Sequence, residues 1–151
     1  MAQFVAILMG SESDRDVMKR AEEALSEFGV SYETNVISAH RKPDALVAYI
    51  RDANARGAAV YICAAGMAAA LPGVTAAHTT KPVIGVPIES GSLRGLDALL
   101  SIVQMPPRVP VATVAVNGAQ NAGLLAVQIL ATSDDELAER YEEFKRRLAE
   151  D

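Results

Sequence analysis

Five strand-length runs alternate with helix-length segments along this chain, and that alternation leaves few folds open. The runs are "QFVAILM", "SYETNVIS", "AAVYICAA", "KPVIGVP" and "VATVAV". Strands interleaved with helices predict a parallel sheet covered on both faces. The second run is less apolar than the rest and sets Tyr32, Thr34 and Val36 on one side. Half-exposed strands belong at a sheet edge. The expected strand order is therefore 2-1-3-4-5, in an α/β fold.

The intervening segments carry helical spacing. From about Ser13 to Phe28, Val17, Ala21, Leu25 and Phe28 share a face, and Gly29 closes the helix. A second helix spans about Pro43 to Arg56, with Leu46, Tyr49, Ile50 and Ala53 as its stripe. Pro43 suits its first turn and Gly57 its end. "LRGLDALLSIVQM" is expected to be a helix, and Asn117-Gly118 turns the chain into another, "AQNAGLLAVQILA". An extra C-terminal helix opens with a capping box, Ser133 and Glu136, and carries Leu137, Tyr141, Phe144 and Leu148. No repeat, linker or low-complexity tract divides the chain, so residues 1–151 read as a single domain.

The segment from Ala122 to Ala131 is apolar nearly all round, with Gln128 as its one polar residue. A helix of that kind is buried on every side. Its outer face is expected against another subunit, the alternative cover being the amphipathic C-terminal helix.

Bulk properties exclude several classes. A net charge of -5 and a pI near 5.0 argue against nucleic-acid or anionic-membrane binding. They leave room for a small anion held by one or two arginines. The single cysteine, Cys63, excludes a disulfide framework and a cysteine-based zinc site, and its apolar run reads as core. The N-terminal stretch has no basic flank and is too short for a signal peptide or membrane span, so the expected setting is cytoplasmic.

Ligands of open parallel sheets bind at the carboxyl ends of the strands. Those ends here read "MGSESD", "SAHRKP", "AAGMAA", "PIESGS" and "NGAQNAG", gathering small and polar residues on one edge. "GSESD" offers amides and hydroxyls to an anion, or simply caps a helix. It has neither the Gly-Lys-Ser/Thr ending of a P-loop nor the dinucleotide fingerprint. In "SAHRKP", Arg41 can fork onto a phosphate and His40 can move a proton near neutral pH; the alternative is a solvated surface pair. The other histidine, His78, has no acidic or cysteine neighbour that suggests a metal. Residue chemistry alone thus points to a phosphorylated small molecule and one proton-transfer histidine.

The stretches "MGSESD", "SAHRKPD", "LPGVTAAHTTKPVIGVP" and "LDALLSIVQMPPRVPVATVAVNGAQNAGLLAVQIL" together resemble the PurE family of purine biosynthesis, over nearly the whole chain. The resemblance implies a flavodoxin-like three-layer sandwich assembled as a homo-octamer, with no metal, ATP or organic cofactor. The implied reaction moves a carboxylate from the exocyclic nitrogen of N5-carboxyaminoimidazole ribonucleotide to ring carbon four. His40 matches the family's catalytic histidine. Ser11 and Asp14 match its nucleotide-binding residues, with Asp14 on the ribose. Ser13, Ser38 and Arg41 would hold the 5'-phosphate, and Gly10, Ala65, Gly66, Ala68 and Leu71 would contribute to the substrate pocket. Arg41, Pro43 and Asp44 resemble the mutase class rather than direct carboxylases of aminoimidazole ribonucleotide, which tend to carry Lys after the histidine. Two positions depart from the pattern: Met67 replaces a glycine, and Ala70 stands where a second histidine is common. These departures make a nucleotide-binding module without catalysis a further alternative.

Overall fold

A computed structural model describes residues 2–151. A five-stranded sheet runs β1 (Phe4–Met9), β2 (Tyr32–Val36), β3 (Ala58–Gly66), β4 (Val83–Ile88) and β5 (Ala112–Thr113). All its pairings are parallel and the order is 2-1-3-4-5, as the half-exposed second strand requires. Six helices cover it: α1 (Arg15–Glu27), α2 (Pro43–Arg56), α3 (Leu71–Ala77), α4 (Leu96–Val103), α5 (Ala119–Ala131) and α6 (Asp135–Glu150). Among the described residues no helix is long and apolar enough to cross a membrane.

The three layers follow from strand alternation. Val5, Ile7 and Met9 of β1 join Val60, Ile62 and Ala64 of β3 in a core beneath α1, α5 and α6. Phe4, Ala6 and Leu8 join Tyr61, Cys63 and Ala65 in a second core beneath α2, α3 and α4. Central strands have no solvent face, which is why β1, β3 and β4 read as unbroken apolar runs.

Among the described residues, edge strand β2 pairs only with β1, and its side chains tie it to α2. Glu33 accepts from the Tyr49 hydroxyl at 2.7 Å and from two Arg56 nitrogens at 2.7 and 3.0 Å. Arg56 also reaches Asp52 at 2.7 Å and lies 5.1 Å over the Phe4 ring. The Arg56 bonds hold the Glu33 carboxyl below its usual range, opposed by partial burial.

The α5 helix packs tightly on α1. A Cβ on Gly123 would lie 2.8 Å from the Ala21 carbonyl oxygen and 2.9 Å from the Ala24 Cβ, so only glycine admits this approach. Much of the remaining face lies against α6, the alternative cover for this apolar helix. Phe28, Tyr141 and Phe144 form a three-ring cluster, each pair of centroids 5.4 Å apart, that seats α6 on the end of α1. Leu148, expected in the same stripe, is 52% exposed because it lies beyond that cluster.

Several boundaries differ from the sequence reading. The strand expected over "VATVAV" has only two ladder residues, although Val114 and Asn117 still donate to Gly85 and Pro87 carbonyls of β4. The helix expected from Leu93 starts at Leu96, since Arg94 and Gly95 have φ of 53° and 92°, outside any right-handed helix. The first α-helix begins at Arg15 after a 3₁₀ turn, Glu12–Asp14. The capping box is replaced by Asp134, whose side chain accepts from the Leu137 amide at 3.0 Å. Helix α6 starts one residue later than expected, which puts Asp134 rather than Ser133 at the cap.

Candidate active site

Where β1, β2 and β3 end, the chain turns outward in three adjacent loops. The Gly10 amide donates to the Ala64 carbonyl at 3.1 Å and the Ile37 amide to the Met9 carbonyl at 2.9 Å, which keeps the loops side by side as they leave the sheet. A cleft of about 360 Å³ opens between them. All eleven residues selected from the sequence line it: Gly10, Ser11, Ser13, Asp14, Ser38, His40, Arg41, Ala65, Gly66, Ala68 and Leu71.

The β1–α1 loop supplies hydroxyls and a carboxylate. Ser11 accepts the Ser13 amide at 3.3 Å, and their hydroxyl oxygens are 2.9 Å apart. The serine is therefore a cap of the 3₁₀ turn and also a cleft wall. Asp14 is only 6% exposed, and among the described residues it forms no ion pair. Burial raises its pKa above the usual carboxylate value, and a backbone hydrogen bond from Ser11 works in the opposite direction. A buried carboxylate at the cleft with no ion-pair partner among the described residues has acceptor capacity to offer a ligand's hydroxyls.

The β2–α2 loop is a turn built on Ser38. Its hydroxyl accepts the Arg41 amide at 3.2 Å, and its carbonyl accepts the Lys42 amide at 2.9 Å. The turn leaves the His40 and Arg41 side chains exposed on the cleft rim. A guanidinium can bind a phosphate in two-pronged fashion, and the adjacent imidazole is able to accept or donate a proton.

The β3 end supplies the small-residue wall. Gly66 suits the close passage of the neighbouring loop: a Cβ there would lie 3.2 Å from the Ser90 Cβ, tighter than most side-chain contacts. Ser90 itself lines the cleft and was not singled out from the sequence, although "PIESGS" was recognised as a strand end. Its loop is pinned from outside, since Asn117 accepts the Glu89 amide at 2.9 Å. Ala39, Met67, Ala69 and Ala70 complete the lining. Met67 has φ of 53°, a conformation glycine adopts freely, which explains why glycine suits this position.

Neither remaining candidate joins the cleft. His78 caps the carboxyl end of α3 in an exposed position. Cys63 is fully buried, and burial pushes its thiol up to about 12, as befits an inert core residue.

Fold and cleft together define an α/β protein whose parallel sheet carries, at its carboxyl edge, a cleft lined by a guanidinium, an imidazole, a buried carboxylate and serine hydroxyls. The chain belongs to the AIR carboxylase family, whose model matches residues 4–151. It is 54% identical over 144 residues to the N5-carboxyaminoimidazole ribonucleotide mutase of Thermotoga maritima, covering 95% of this chain and 84% of that one. It is also 54% identical over 145 residues to the Bacillus subtilis protein of the same name, covering 95% and 90%. Among solved structures, Treponema denticola PurE superposes with a TM-score of 0.90 at 31% identity, covering 98% of this chain and 92% of that one.

Proposed function

We propose that this protein is an N5-carboxyaminoimidazole ribonucleotide mutase that forms 4-carboxyaminoimidazole ribonucleotide. The observation that carries the reading is the convergence of His40, Arg41 and buried Asp14 on one cleft, in a chain so similar to proteins of that name. Arg41, with the hydroxyls of Ser38 and Ser13, holds the 5'-phosphate. Asp14 and Ser11 take the ribose. These contacts leave the aminoimidazole ring toward His40 and the wall formed by Ala65, Gly66, Ala68 and Leu71.

The reaction is an isomerisation. The exocyclic nitrogen–carbon bond of the carbamate breaks, carbon dioxide leaves, and the nitrogen gains a proton. Ring carbon four of the electron-rich aminoimidazole then attacks the carbon dioxide, and the proton on that carbon departs. One imidazole can serve both transfers, donating at nitrogen and accepting at carbon, so no net proton is exchanged. Holding the ring and the carbon dioxide together is the contribution of the walls.

The assembly that accompanies this reading is a homo-octamer in the cytoplasm. Beside the contact expected on α5, we assign a subunit contact to a face of α4. Leu96, Leu100 and Val103 are 55%, 50% and 45% exposed, and Leu93 precedes them at 58%. Their spacing puts them along one side of the helix, while Ala98 and Ile102 face the core. Such a row is expected to be covered in the assembled protein.

The deciding experiment supplies N5-carboxyaminoimidazole ribonucleotide to one sample, and aminoimidazole ribonucleotide with bicarbonate to another. A mutase converts the first far faster at low bicarbonate. Preference for the second would assign a direct carboxylase, and binding without turnover would assign a nucleotide-binding module.

A further inference from the structure

The loops after β1, β2 and β3 each bring several residues to the cleft, whereas the loop after β4 brings only Ser90. The Ser90 side chain is half-buried and stands against Gly66. Its Cβ and Oγ lie 3.2 and 3.7 Å from the point a Cβ on that glycine would occupy, so the serine fills space that Gly66 leaves open.

The Ser90 hydroxyl is uncommitted. Those of Ser11 and Ser38 each accept a backbone amide, and that of Ser13 is paired with Ser11. Among the described residues no hydrogen bond engages the Ser90 Oγ. The backbone beneath it is nevertheless braced. Asn117 grips this strand end twice: its N–H donates to the Pro87 carbonyl at 2.7 Å, and its side-chain oxygen accepts the Glu89 amide at 2.9 Å. It does so at φ 59°, in the left-handed region that asparagine tolerates better than most residues. A free donor on a braced loop at a cleft is arranged for a ligand rather than for the fold.

The sheet order says which part of a ligand that donor meets. In the order 2-1-3-4-5, β4 lies three strands from β2, about 14 Å at ordinary strand spacing. A nucleotide whose phosphate is held by Arg41, beyond β2, turns its opposite end toward Gly66 and Ser90. Apart from Arg41 and a protonated His40, no cation lines the cleft. A second negative charge on the ligand therefore falls to neutral donors.

We propose that Ser90 is a substrate-binding residue whose hydroxyl donates a hydrogen bond to the migrating carboxylate, in the carbamate of the substrate and again in the ring carboxylate of the product. This rests on the mutase reading. An ionised carboxylate only accepts hydrogen bonds, and a serine hydroxyl can donate one. A neutral donor also suits the reaction. A cation would hold the carbamate more strongly than the uncharged carbon dioxide it must become, which raises the barrier to release. A hydroxyl orients the group at a smaller cost.

The test is calorimetry on the full chain with two probes, 4-carboxyaminoimidazole ribonucleotide and aminoimidazole ribonucleotide, which differ by the carboxylate. Ser90→Ala should keep a Tm close to the parent's, since that hydroxyl holds nothing in the fold. It should bind the carboxylated probe about tenfold more weakly, the scale of one hydrogen bond to a charged group, and the other probe within about twofold of the parent. Ser90→Thr retains the hydroxyl and should keep the loss below about threefold. Equal weakening toward both probes, or none toward either, overturns the proposal, as does a threonine variant as impaired as the alanine one. Should Ser90→Ala melt lower, the ratio of its two affinities still decides, because loss of folded protein alone leaves that ratio unmoved. A parent that binds both probes without turnover refutes the mutase alone, and the selective loss in Ser90→Ala still decides the contact. A parent that binds neither probe refutes both.

Discussion

The Ser38 hydroxyl accepts the backbone N–H of Arg41 at 3.2 Å, which closes a turn with His40 inside it. Two side chains of different chemistry are thereby presented from one short loop, at a spacing the backbone fixes. Their roles separate under substitution.

Arg41→Lys keeps the charge and loses the planar fork. Affinity for 4-carboxyaminoimidazole ribonucleotide, measured by calorimetry, is expected to fall about tenfold. Unchanged affinity would remove Arg41 from the phosphate site.

His40→Asn retains size and hydrogen-bonding ability without a proton that can shuttle near neutral pH. Turnover should drop by about two to four orders of magnitude, while nucleotide affinity stays near the parent's. His78→Asn, at the exposed end of α3, should leave steady-state kinetics unaltered. Near-parental turnover in the His40 variant, or greater damage in the His78 variant, would contradict the assignment.

Asp14→Asn should exchange function for stability. The folded-state pKa of Asp14 is raised, chiefly by burial. Keeping it ionised is thus a penalty, fully present above the folded pKa and relieved as pH falls through that value toward the unfolded 3.8. The variant should melt higher than the parent at pH 7, with the gap narrowing as the pH is lowered toward 4. Its nucleotide affinity should fall by about tenfold or more, the usual loss for hydrogen bonds to a charged acceptor. Equal Tm values at pH 7 would show that the carboxylate is not penalised.

Leu100→Glu places a charge in the middle of the exposed α4 row. Light scattering should give an octamer for the parent and a smaller species for the variant, whose monomer fold is kept because residue 100 lies outside both cores. A monomeric parent at micromolar concentration would end the octamer proposal.

The sheet order was legible because Tyr32, Thr34 and Val36 alternate with polar residues while the other long strands do not. The cleft residues were legible because a parallel sheet gathers all its strand ends on one edge. Three things were not. Arg94 and Gly95 sit in an apolar helical pattern, and their left-handed angles appear only once the loop closes on Val116. Ser90 owes its place to the Gly66 contact, which joins residues distant in sequence. Uniform apolarity shows that a helix is covered without naming its cover: α5 has α1, α6 and the sheet. Helix α4 carried the same signal in "LDALLSIV", where only Asp97 and Ser101 are polar, and there the uncovered face is real.

The loop bearing His40 and Arg41 hangs from β2, an edge strand tied to α2 through the bonds of Glu33 with Tyr49 and Arg56. The turn is anchored by half-exposed polar bonds and by Ile37 and Ala39, which pack at the margin of the second core. Sequence drift at Ser38, His40, Arg41 and Lys42 can reshape what the cleft accepts without touching either hydrophobic core. For the same reason, the chemistry can be lost while the fold survives intact. An inactive descendant of this chain would look, by circular dichroism or melting temperature, like its working ancestor.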